Sequence, residues 1–86
     1  MMAYIYDLEK PEIFTERGQV MFMAIRDSVK KMLGASGAFT MGAALTESGS
    51  TWTMMACVDR LVELGEIREI EQHCPAGQDR VFVEVE

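Results

Sequence analysis

An α+β fold, three helices followed by a two-stranded hairpin, is what this sequence predicts, and three observations carry the prediction. Apolar residues recur every three or four positions in two stretches, from about Thr15 to Leu33 and from about Thr51 to Leu64, as on the buried stripe of an amphipathic helix. The stretch RVFVEV at 80–85 alternates instead, which places Val81, Val83 and Val85 on one face of a strand. Finally, 86 residues with 49% hydrophobic and 26% charged content supply one modest core and no second one. The expected division is a single domain over 1–86: an N-terminal arm at 1–14, three helices within 15–65 and a hairpin at 66–86.

Taken in order, AYIYDL at 3–8 is aromatic, branched and alternating, so it reads as an extended arm or short strand that Pro11 closes. The first helix follows, with Phe22, Ile25, Val29 and Leu33 as its stripe, Thr15 as its cap and Gly34 as its end. In VMFMAI at 20–25, Val20 and Met23 lie off that stripe. A helix apolar nearly all round needs a second covering layer, which either the arm or a second subunit can supply. GASGAF at 34–39 has the composition of a loop, and Thr40 caps a short helix whose Met41, Ala44 and Leu45 face a core. After the turn SGS at 48–50, the third helix carries Met54, Cys57, Val58, Leu61 and Leu64 and ends at Gly65, where a left-handed residue costs least. Strands at 66–73 and 79–85 are joined by HCPAGQD, in which Cys74, Pro75, Ala76 and Gly77 suit a type I turn.

Three helices and a two-stranded wing form the winged helix-turn-helix arrangement. Residues 38–85 resemble the helix-turn-helix and wing of MarR-type and related winged-helix regulators, with MACVDRLVELGEIREIE in place of that family's second helix and first wing strand and DRVFVEV in place of the returning strand. The resemblance implies DNA contacts at Thr51, Trp52, Thr53, Ala56 and Arg60, with Asp79 and Arg80 at the wing. It implies no single function, because winged helices also bind proteins.

Charge argues against the DNA reading. The net charge of −6 lies wholly in the second half of the chain. Residues 1–46 hold five bases and five acids, whereas residues 47–86 hold Arg60, Arg68 and Arg80 against nine acids. Neutralisation of phosphate by Lys and Arg supplies nearly all non-specific affinity for DNA, and that footprint is missing here. Lys30 and Lys31 remain available for backbone contacts. Trp52 is either an exposed aromatic anchor or a core residue folded against Phe39, and Arg60 and Arg80 are either contacts or ordinary ion-paired surface residues.

Catalysis has little to rest on. His73 and Cys74 are neighbours on a candidate strand and so point to opposite faces, and no phosphate-binding glycine loop, nucleophile elbow or HExxH is present. The same pair with Glu71 or Asp79 falls short of a zinc set, so neither metal nor cofactor is expected. Acids near Cys74 would raise its pKa and slow its redox chemistry. With two cysteines, no signal-like N-terminus and no membrane-length apolar run, the expectation is a cytoplasmic protein with reduced thiols. The function expected from the residues is a non-enzymatic protein-binding module that uses the third-helix and wing surface, including Trp52, Arg60 and Arg80, its partner a basic protein steered by acidic potential. Two other readings are a small dimeric DNA-binding transcriptional regulator and an acidic accessory protein that imitates nucleic acid.

Overall fold

The computed structural model describes residues 4–45, 49–70 and 80–85. Among them are four helices and a three-stranded sheet, where the sequence predicted three helices and a two-stranded hairpin. The additional helix is at the N-terminus.

That helix, α1 (Tyr6–Ile13), replaces the predicted extended arm. The alternation in 3–8 is real but short, and it competes with a helical series in which Tyr6, Lys10 and Ile13 come to one side. Ile13 is 1% exposed, while Tyr6 and Lys10 both reach a later helix. Asp7 and Glu9 in the first turn and Lys10 in the last also suit the helix dipole. Pro11 lies inside α1 rather than ending it. Its missing N–H removes one bond within the helix, and the side-chain anchors compensate for it.

The next helix, α2 (Glu16–Ser36), starts at the predicted cap: the Thr15 hydroxyl accepts from the Gly18 N–H at 3.0 Å. It runs past Gly34 and stops at Gly37, which takes the left-handed conformation (φ 77°) and donates its N–H to the Leu33 carbonyl. Gly18, Ile25 and Val29 form its buried side. Part of the predicted GASGAF loop is therefore helix, and the rest is a strand, β1 (Ala38–Thr40). Thr40 then caps α3 (Met41–Ala44), whose Met41 and Ala44 are fully buried.

The longest apolar series belongs to α4 (Thr51–Glu63), capped by the Ser50 hydroxyl one residue before the predicted start. Every residue from Thr53 to Val58 is buried, more than one stripe allows. Two layers explain this, since α1 and α2 both pack along α4. Leu64, expected on the core face, is 46% exposed because the helix is already ending; Gly65 (φ 78°) follows, and the Glu66 N–H bonds back to the Leu61 carbonyl.

Two more strands, β2 (Ile67–Ile70) and β3 (Val81–Glu84), complete an antiparallel sheet in the order β1-β3-β2. The alternation in β3 is as expected, but the core lies on the other side from the valines. Phe82 is fully buried and stacks on its cross-strand partner Phe39, ring centroids 5.3 Å apart, while Val81 and Val83 are half-buried on the outer face. The predicted turn HCPAGQD, with His73, Cys74 and Asp79, and the acid Glu71 lie outside the described residues.

Candidate protein-interaction surface

Of the six residues expected to contact DNA or a partner, two are inside the protein. Ala56 is fully buried and Thr53 is buried at 9% exposure. Trp52 is half-buried and packed against the core, which favours the inward of its two readings, and only Thr51 stands exposed. Thr53 and Ala56 therefore do not share an exposed face with Thr51, because both α1 and α2 pack along α4.

Helix α1 lies across α4 and is tied to it along its length. The Tyr4 hydroxyl donates to Asp59 at 2.5 Å, the Tyr6 hydroxyl to Glu63 at 3.0 Å, and the Lys10 ammonium sits 2.8 Å from the same Glu63 carboxylate. At the far end the Arg60 guanidinium is 5.5 Å from the centre of the Phe14 ring. The side of α4 covered in this way carries Asp59, Glu63 and Arg60, the last of them among the residues expected to make contacts.

Both candidate arginines are engaged within the chain. Arg60 pairs with Glu63 at 2.6 Å, one turn along α4. Arg80, 18% exposed, clamps two elements at once: its guanidinium meets Asp59 of α4 at 2.7 Å and both carboxylate oxygens of Glu69 of β2, at 2.8 and 2.9 Å. An arginine so held has no fork left for a phosphate.

The titration behaviour follows from these contacts. Hydrogen bonds from Lys10, Arg60 and Tyr6 hold the Glu63 carboxyl down to about 2. Burial, reinforced by the bond to Glu63, pushes the Tyr6 phenol up to about 12, and burial with the bond to Asp59 raises Tyr4 further in the same direction. The Arg80 bonds likewise lower Glu69, and Glu69 in turn raises Arg80. Each shift stabilises the charge state that keeps the contact.

In comparisons with known proteins, no family model, curated protein or solved structure matches the chain.

What α1 turns outward differs from what α4 would have shown. Ile5 (51% exposed), at the N-cap of α1, and Leu8 (70%) are exposed, as are the acids Asp7 and Glu12, and Phe14 is exposed at the elbow into α2. Large apolar side chains rimmed by acids are the composition of a docking surface for a basic, partly apolar partner. A broad open groove of about 900 Å³ runs between the α1–α2 elbow and the start of α4, lined by Glu12, Glu16, Arg17, Val20, Ser50 and Thr53. A smaller cavity of about 230 Å³ between α2 and β2 is lined by Arg26, Lys30, Leu33 and Glu66. There Arg26 and Glu66 pair with each other at 2.8 Å rather than converging on a ligand. Among the described residues no three His, Cys, Asp or Glu side chains gather as a metal site, and no helix is long and apolar enough to cross a membrane. Sequence reasoning missed Tyr4, Tyr6, Lys10 and Phe14; the helical spacing of Tyr6, Lys10 and Ile13 was the available signal.

Proposed function

We propose that the chain is a non-enzymatic winged-helix binding module that docks a basic protein partner through the outer side of α1. The order α2, β1, α3, α4, β2, β3, with the last strand central, supports the winged-helix reading. One observation carries the functional choice: α1 covers the side of α4 that carries Arg60, and both arginines meant for phosphate are ion-paired there. The protein partner sees Ile5, Leu8 and the surrounding acids instead, and its positive charge is steered toward them.

The test is a titration, followed by fluorescence anisotropy at low salt, of two labelled probes: an amphipathic lysine–leucine peptide and a mixed-sequence DNA duplex. The peptide is expected to bind with an affinity that falls with salt and is lost in Leu8→Glu. Duplex binding that weakens in Arg60→Ala and Arg80→Ala would instead favour the small dimeric DNA-binding regulator, and α1 would then have to leave α4. Competition by the chain for a DNA-binding protein's duplex site would favour the nucleic-acid mimic.

A further inference from the structure

The outer side of α2 carries a second surface with a different logic. At 100° per residue, positions 16, 20, 23, 27 and 30 fall within roughly 40° of one line along the helix. That line is diametrically opposite the buried Gly18, Ile25 and Val29. Val20 is 73% and Met23 48% exposed among the described residues, and helix α1, which lies on α4, does not cover them. Glu16, Asp27 and Lys30 on the same line make no ion pair among the described residues, in contrast to Asp59, Glu63, Glu66 and Glu69, which all do.

The charges are arranged to fit a copy of themselves. Glu16 and Lys30 lie seven residues before and seven after Met23. If two α2 helices pack antiparallel with a twofold axis at Met23, Glu16 of each copy faces Lys30 of the other, and Val20 of each flanks the central methionines. A parallel pairing would set Glu16 against Glu16 and Lys30 against Lys30, which is repulsive. We infer that the chain self-associates as an isologous dimer through this stripe, α2 antiparallel to α2, with Met23 on the axis.

The contact is small. A 21-residue helix offers a face roughly 30 Å long and about 10 Å wide. Such a pair buries about half the ~1,600 Å² of a standard interface. The dimer is therefore weak and concentration-dependent, with a dissociation constant on the order of 10–100 µM.

Sedimentation velocity from about 5 to about 500 µM spans that range. The expected result is a reversible shift from monomer to dimer, weakened at least ~10-fold by Met23→Glu and severalfold by Lys30→Glu. The double variant Glu16→Lys with Lys30→Glu restores the wild-type association, because it exchanges the signs at both ends of the pair. All three positions are exposed, and unchanged far-UV circular dichroism would exclude unfolding. A wild-type chain monomeric throughout overturns the proposal, as does a dimer indifferent to Met23→Glu. A dimer sensitive to Lys30→Glu that the double variant fails to rescue overturns the antiparallel register.

Discussion

Replacing Gly18 by alanine places a methyl group where the chain has none to spare. A Cβ there would lie 1.9 Å from the Glu12 carbonyl oxygen and 2.8 Å from the carbonyl carbons of Glu12 and Ile13. Contacts below 3.0 Å are essentially never seen for a Cβ, so α1 and α2 must separate by more than ~1 Å. No rotamer change relieves this, because the opposing atoms are backbone. The elbow is also fixed at both ends: Thr15 donates to the Glu12 carbonyl at 2.8 Å and Gln19 to the Ile13 carbonyl at 2.6 Å, with Ile13 itself in the core. Overpacking of this severity costs about 3 kcal/mol. Against it stands the gain of about 1 kcal/mol from alanine over glycine inside a helix. The net loss of about 2 kcal/mol lowers Tm by roughly 10 °C in a domain of this size. Gly34→Ala on the same helix is the control: nothing lies within 4 Å of its Cβ, so the helix gain of about 1 kcal/mol appears undiminished. Thermal and urea melts of both variants, with amide exchange across 6–13, give the comparison. If Gly18→Ala melts at or above wild type, α1 does not close against α2 as described, and the covered α4 face falls with it.

Two further outcomes follow from the same contacts. The Glu63 carboxyl is held at about 2, below its ordinary 4.5, so its contribution to stability is present above pH ~4.5 and is lost as pH falls through about 2. An acid titration of unfolding free energy should therefore be flatter between those values in Glu63→Gln than in wild type; equal slopes would mean that Lys10, Arg60 and Tyr6 do not hold this carboxylate in solution. In the sheet, Phe82→Ala should cost about 3–5 kcal/mol, because the side chain is fully buried against Phe39, whereas Val83→Ala on the outer face should cost about 1 kcal/mol or less. Similar losses in urea melts of the two variants would place the core on the wrong side of β3.

What could be read from the chain divides along physical lines. Caps and glycine stops are local, so Thr15, Thr40 and Gly65 were legible where they act. The stripes of α2 and α4 were legible because each repeats over several turns. Helix α1 was not, since it is only eight residues long and its anchors, Asp59 and Glu63, lie more than fifty residues away. Strand β1 offered three residues and took its identity from pairing with β3. The surroundings of the candidate site were hidden for the same reason as α1: Ala56 and Thr53 are buried on a helix that α1 and α2 both pack against, and Arg80 pairs with Glu69 and Asp59 across two other elements.

The acids on α4 and β2 take on a different meaning once those partners are known. Read as a line of charge, Asp59, Glu63, Glu66 and Glu69 form a field hostile to phosphate. In the fold each is an acceptor for a particular donor: Asp59 for Tyr4 and Arg80, Glu63 for Tyr6, Lys10 and Arg60, Glu66 for Arg26, and Glu69 for Arg80. They join α1, α2 and β3 to the α4–β2 unit, so the part of the sequence that looked most like a surface potential is largely internal wiring. Among the described residues the exposed charges outside these pairs lie on the outer turns of α1, along α2, and at Arg68 and Glu84 of the sheet. Both proposed contacts, a basic partner on α1 and a second copy on α2, therefore use residues outside 38–85, the stretch whose resemblance to a helix-turn-helix and wing the sequence brings to notice first.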